Sequence, residues 1–204
     1  MEGLEHIPRS GPAIVIGNHL SYLDPFAHGY FVVRAGRKPR FLAKAELFRN
    51  PLLRTVLHGM GQIPVHRGTG DQAPLEEATR AIERGEVVVI YPEGTSTAGG
   101  ADFTPGRGKT GAVRLALATG ATVVPVATWG GQYVWRRGSF RFPEFGRPIW
   151  LRAAEPIDVR ARASGGAEDY ETVRRLTDEL MGELGELVAG LREAYPRRWA
   201  RAVG

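Results

Sequence analysis

The tightest constraint on the fold is Val87-Val88-Val89-Ile90, four consecutive β-branched residues with nothing polar among them. A run that short and apolar on both sides reads as a strand covered on both faces, the habit of parallel sheets. Ala13-Ile14-Val15-Ile16 and Thr122-Val123-Val124-Pro125-Val126-Ala127 have the same character. Between and after them lie segments with helical period: Pro25 to Arg34, Pro74 to Glu83 with Leu75, Ala78, Thr79 and Ile82 on one side, and Lys109 to Thr119, stopped at Gly120. Strands alternating with helices of these lengths predict an α/β fold, a mostly parallel or mixed central sheet with helices on both faces.

Weaker signals fill in the rest. Arg40-Phe41-Leu42-Ala43 reads as a short second strand, Gly61 to Arg67 as an edge strand because Pro64 interrupts it, and Pro148 to Leu151 as a late strand. Asn50-Pro51 opens a helix by cap and proline, and its Leu53, Val56, Leu57 and Met60 share a face that is expected to pack into the core, with a lipid contact as the alternative. The clearest helix is the last. Tyr170, Val173, Leu176, Leu180, Leu184, Leu187, Val188 and Leu191 recur at three- and four-residue steps until Pro196. Its polar face is rich in acids, which suits a sheet-packed helix better than one lying on anionic lipid.

With 204 residues, and no internal repeat, low-complexity block or linker, the chain is expected to form one domain over 1–204, ending in a basic tail from about 196. Zero Cys removes disulfides, thiolate metal ligands and a cysteine nucleophile together. No apolar run approaches the roughly 18 residues of a membrane span, and the N-terminus lacks a signal-peptide pattern. A cytoplasmic protein, peripheral on the inner face of the cell membrane, is the expectation. The net charge of +5 favours an anionic partner. Trp129 to Arg137, where indoles mix with cations, fits either a lipid interface or a half-buried loop.

Chemistry concentrates after the first strand. His19 and Asp24 fall in the strand-to-helix connection Gly17-Asn18-His19-Leu20-Ser21-Tyr22-Leu23-Asp24-Pro25, where α/β proteins keep functional side chains. On a continuous helix the pair would point about 140° apart, but a loop can fold the imidazole back onto the carboxylate. A neutral imidazole accepts an alcohol proton near neutral pH if its other nitrogen is held by an acceptor. The competing reading is that Asp24 caps the helix, with Pro25 in its first turn, and His19 is an ordinary loop histidine.

Four segments then stand in order at expected strand ends: Asn18-His19 with Asp24, Gly61-Gln62-Ile63-Pro64-Val65-His66-Arg67, Pro92-Glu93-Gly94-Thr95, and Val124-Pro125-Val126. Together with Phe41-Leu42-Ala43-Lys44-Ala45-Glu46, they resemble the motifs of the glycerolipid acyltransferase family that includes the 1-acylglycerol-3-phosphate acyltransferases. The resemblance runs from about residue 3 to residue 190. It departs where many members carry Arg after Glu-Gly-Thr and this chain has Ser96, and where many begin with an apolar helix ahead of the first strand.

What the resemblance implies is transfer of a fatty acyl group from a thioester, on coenzyme A or acyl carrier protein, to the free hydroxyl of 1-acylglycerol-3-phosphate at a membrane surface. No metal or other cofactor is implied. His19 would be the general base and Asp24 its orienting carboxylate, with Asn18, Lys44, Arg67, Glu93, Gly94, Thr95, Arg107 and Lys109 around the acceptor. Arg67 leads the phosphate ligands because its planar fork suits phosphate, and Arg107 and Lys109 stand at an expected helix start. Another lyso-lipid or glycerol 3-phosphate is an alternative acceptor, and a non-catalytic lipid-binding module an alternative role. A nucleotide site at Gly108-Lys109-Thr110 lacks the P-loop glycine five residues earlier, where Phe103 stands. No aromatic RNA-binding motif is visible, so nucleic acid is not an expected partner.

Overall fold

The computed structural model describes residues 1–65, 73–94, 103–135 and 146–200, with Lys44 described through its backbone. Among the described residues six strands form one sheet in the order β3-β2-β4-β1-β5-β6: β1 Ala13–Gly17, β2 Pro39–Lys44, β3 Ile63–Val65, β4 Val87–Ile90, β5 Thr122–Trp129 and β6 Trp150–Ala153. The first five are parallel, with Ile14 of β1 opposite Val88 of β4 and Val123 of β5. The late strand β6 runs antiparallel to β5 and makes the sheet mixed. Pro64 sits in the edge strand β3, where its missing N–H is harmless.

The α-helices among the described residues are α1 Asp24–Arg34, α2 Pro51–Gly59, α3 Ala73–Glu83, α4 Gly111–Thr119 and α5 Tyr170–Ala194. Alternation along the central strands sorts the core into two layers. Ala13, Val15, Val87, Val89, Val124 and Val126 meet Phe31 and Val32 of α1. Ile14, Ile16, Val88, Ile90 and Val123 face the opposite way, onto Ala78 and Ile82 of α3, Val113 and Ala116 of α4, and Val173, Leu176 and Leu180 of α5. Helices therefore cover both faces. Further along α5, Leu184, Val188 and Leu191 enclose Trp129 with Ala127 and Leu20. That indole is 2% exposed and belongs to the core, not to a lipid interface.

Two local expectations are corrected. Asp24 does not cap α1: the cap position falls on Leu23, which makes no side-chain cap, and the Asp24 carboxylate turns back to accept from Leu20 N–H and Ser21 N–H. The core packing expected of α2 also fails. Asn50 caps it as expected, accepting from Leu52 N–H and Leu53 N–H, but α2 buries no side chain and rests chiefly on the 3-10 turn Ala45–Arg49. Helical period alone marks an apolar face without saying what covers it.

Candidate active site

All five parallel strands end at one edge of the sheet, and the loops leaving β1 and β4 build the site there. Gly17 ends β1, and the next residue, Asn18, is fully buried. Its side-chain amide donates to Thr128 O at 3.0 Å and its carbonyl accepts from Thr128 N–H at 2.8 Å. Both ends of Asn18 are thus taken by the β5 backbone. Asn18 thereby fixes where the loop leaves the sheet.

His19 follows, 7% exposed, and its Nδ1 lies 3.1 Å from Asp24 Oδ2. The same oxygen accepts from Leu20 N–H at 2.5 Å and Ser21 N–H at 2.6 Å. A carboxylate so placed is an acceptor only, so His19 Nδ1 is the donor. The neutral ring then carries its lone pair on Nε2, the nitrogen a base needs. Ser21 Oγ donates to Trp135 O at 2.7 Å and accepts from Leu23 N–H at 3.0 Å, tying this turn to the segment after β5.

Tyr91, the first residue beyond β4, stacks on His19 with ring centroids 4.3 Å apart. The turn that follows carries Pro92-Glu93-Gly94. Gly94 N–H donates to Tyr91 O at 2.9 Å, and Lys109 N–H donates to Pro92 O at 2.8 Å. Gly94 adopts φ +69, and a Cβ there would lie 2.7 Å from Lys109 Cε and 2.8 Å from Lys109 Nζ. The Lys109 ammonium therefore sits directly over Gly94. Glu93 accepts from Gly106 N–H at 3.3 Å, which ties the turn to the chain leading into α4.

The sequence-expected residues are thus grouped as follows. His19 and Asp24 are in contact, and Lys109 packs against the turn that carries Glu93 and Gly94. Arg107 is exposed and lines a shallow groove with Thr104 and with Asp178 and Glu186 of α5. Lys44 closes β2 opposite Val65, at the same sheet edge. Arg67 and Thr95 lie outside the described residues. Gly108 is buried against Met181 of α5, where a phosphate-wrapping loop would need open amides. Among the described residues no three His, Asp or Glu side chains converge as metal ligands.

Sequence reasoning misses Tyr91, Ser21 and His28. The last is fully buried under the first turn of α1, with Nε2 2.9 Å from Val126 O and Nδ1 2.9 Å from Asp24 O. Tyr91 stands next to a motif and is open to notice. Ser21 and His28 act through contacts with Trp135 and Val126, too distant in sequence for spacing to show.

Fold and site define an α/β protein whose polar side chains gather at the strand-end edge of a mostly parallel sheet, around a buried imidazole–carboxylate pair. A family model described as Acyltransferase matches residues 1–129, and the chain belongs to that family. Among curated relatives, the chain is 31% identical over 142 residues to the chloroplastic 1-acyl-sn-glycerol-3-phosphate acyltransferase of Arabidopsis thaliana, covering 68% of this chain and 38% of that one. It is 34% identical over 134 residues to the 1-acyl-sn-glycerol-3-phosphate acyltransferase of Borreliella burgdorferi, covering 62% of this chain and 49% of that one. The chain thus spans less than half the length of either relative. The crystal structure of the 1-acyl-sn-glycerophosphate acyltransferase of Thermotoga maritima shares the fold, with a TM-score of 0.68 at 24% identity over 100% of this chain and 73% of that one.

Proposed function

We propose that the protein transfers a fatty acyl group from a thioester, on coenzyme A or acyl carrier protein, to the free hydroxyl of 1-acylglycerol 3-phosphate, giving phosphatidate. The observation that carries this reading is the His19 Nδ1–Asp24 Oδ2 contact, because it directs the lone pair of a nearly buried imidazole away from the carboxylate. His19 Nε2 takes the proton of the acceptor hydroxyl as its oxygen attacks the thioester carbonyl. The C–S bond breaks, and the imidazolium returns the proton to the leaving thiolate. Asp24 steadies the imidazolium in between. No covalent acyl-enzyme is required, in keeping with a chain that has no cysteine. Its similarity to the 1-acyl-sn-glycerol-3-phosphate acyltransferases of Arabidopsis thaliana and Borreliella burgdorferi supports the choice of acceptor.

Phosphate recognition is assigned to Lys109, held over Gly94, and to Arg67 of the second motif. Glu93, Thr95, Lys44 and Arg107 complete the proposed surroundings of the acceptor. The test is incubation of purified protein with palmitoyl and oleoyl thioesters of both carriers and a panel of lyso-acceptors, following free thiol. Thiol release that requires 1-acylglycerol 3-phosphate is the expected result, with Arg67→Ala raising KM for that acceptor. Preference for glycerol 3-phosphate or a lyso-lipid with a larger headgroup reassigns the acceptor, and no turnover with any of them ends the reading.

A further inference from the structure

Helix α2 is at odds with α3, α4 and α5, and among the described helices only α1, with Phe26, Tyr30 and Val33, also exposes an apolar row. Its apolar residues Leu52, Leu53 and Val56, with Met60 just beyond its end, occupy one side, and Arg54, Thr55 and His58 occupy the other. In α3, α4 and α5 such a stripe is buried. Here Leu52 is 76% exposed, and Leu53, Val56 and Met60 are exposed beside it, as is Leu47 of the preceding turn. Leu57, at the edge of this face, is half-buried, and on the other side His58 meets Phe48 edge-on at 5.1 Å. A nine-residue helix is marginal in water by itself, and here its apolar face is left largely uncovered.

We propose that α2 and the turn before it dock on the surface of an anionic lipid bilayer, with Leu47, Leu52, Leu53, Val56 and Met60 entering the interface and Arg49 and Arg54 meeting acidic headgroups. Charge decides for a bilayer. Arg49 and Arg54 are exposed and make no ion pair among the described residues, and Glu46 is the one acid between Lys44 and Gln62. A two-fold contact of this face with a second copy would bring four arginines together with two glutamates to offset them. Its area is also too small for a stable dimer: a helix about 14 Å long offers a face on the order of 200 Å², against roughly 800 Å² per partner. A basic amphipathic helix on an anionic interface needs no such area from one element, since cations add electrostatic attraction to apolar burial.

Placement gives the docking a use. The turn carrying Leu47 leaves the C-terminal end of β2, the same edge from which β1 presents His19. Tyr22 and Phe26, in the loop and first turn between His19 and the body of α1, are exposed there too, and Tyr22 leans on Trp135 at 5.2 Å between ring centroids. Docking through α2 would hold that edge near the lipid. The proposal stands on the exposure of α2 and goes beyond the acyl-transfer reading, and its test uses no substrate, so either can fail alone.

The absence of cysteine lets a single label be placed at will. The full chain carrying Leu52→Cys with an environment-sensitive fluorophore is mixed with phosphatidylcholine vesicles, with and without about one third phosphatidylglycerol. A blue shift on the mixed vesicles is expected, and none from a label at Glu168→Cys, an exposed site ahead of α5. In flotation with unlabelled protein, Leu52→Asp/Val56→Asp should lower the partition coefficient at least tenfold. Arg49→Gln/Arg54→Gln should remove the preference for anionic vesicles. All four positions are exposed, so circular dichroism and Tm should match wild type. Equal blue shifts at both labels, or binding that neither pair weakens, overturns the proposal. So does a dimer in sedimentation that Leu52→Asp/Val56→Asp dissociates, because a second copy would then cover the face.

Discussion

Tyr91 lies flat on His19, its ring plane 17° from that of the imidazole, and its hydroxyl is 3.2 Å from Nδ1 of His28. The strand that delivers the Pro-Glu-Gly turn thereby also supplies a wall for the proposed base. When His19 takes a proton, the imidazolium forms against an aromatic face, an attraction of about 0.5–2 kcal/mol that the neutral ring lacks. Tyr91→Phe keeps that face and should leave kcat within about threefold, while Tyr91→Ala should lower kcat roughly tenfold with KM for both substrates little changed. Steady-state kinetics on the three proteins decides: equal losses in Phe and Ala would assign the effect to the hydroxyl and His28 instead.

Asp24 Oδ2 serves three donors, His19 Nδ1 and the amides of Leu20 and Ser21, so one oxygen both shapes the loop and orients the base. His19→Ala should lower kcat by roughly 100- to 10,000-fold, and Asp24→Asn, which cannot steady an imidazolium, should fall in the same range. Because the two act as a unit, His19→Ala/Asp24→Asn should be no slower than the worse single variant. In wild type, kcat/KM should rise with pH along one ascending limb, since the base works only when neutral. That limb should be missing from His19→Ala. Its persistence there would move the base elsewhere.

Gly94 combines φ +69 with the Lys109 side chain resting above it. An alanine would meet a backbone penalty of about 1–2 kcal/mol and would push the ammonium aside. If Lys109 holds the acceptor phosphate, Gly94→Ala and Lys109→Ala should each raise KM for 1-acylglycerol 3-phosphate about tenfold, a loss of about 1.4 kcal/mol of charged contact, with kcat changed less than threefold. A fall in kcat at constant KM would place the turn in the chemical step and remove Lys109 from phosphate binding.

Much of this architecture is legible in the amino-acid pattern. Val87–Ile90 reads as a strand covered on both faces, and β4 lies at the heart of the sheet with all four residues buried. Pro64 marks an edge, and β3 is one. The His19–Asp24 approach is legible only as something a loop permits. What makes it real is the pair of amides at Leu20 and Ser21, which no side-chain pattern encodes. The α2 stripe shows the opposite limit, since Leu53 and Val56 read as core by period and the structure leaves them uncovered. Period reports that a face is apolar, whereas burial depends on what the remaining chain brings to it. Asn18 stands beside the base in sequence, yet its partner is Thr128, 110 residues away.

The pairing of Arg40 with Glu86 gives the fold a pH dependence of known sign. Arg40 Nε reaches Glu86 Oε2 at 2.8 Å and its terminal nitrogen reaches Oε1 at 2.5 Å, joining β2 to the entry of β4, and both side chains are largely buried. Arg40 also donates to Met60 O, and Gly61 has to be a glycine beside it, because at φ +64 a Cβ would fall on the guanidinium. Hydrogen bonds from Arg40 hold the Glu86 carboxyl below the usual carboxylate range, outweighing the burial that pushes it up. A carboxyl depressed in the folded state contributes fully above its unfolded pKa of about 4.3, and the contribution is lost as pH falls through the folded value. Glu86→Gln should therefore cost about 1.5–3 kcal/mol at pH 7, where it leaves a largely buried guanidinium without its charged partner. The difference from wild type should shrink steadily below about pH 4. Urea unfolding of both proteins across this range checks it, and a gap of constant size down to the acid limit would show that packing, not the ion pair, sets the cost.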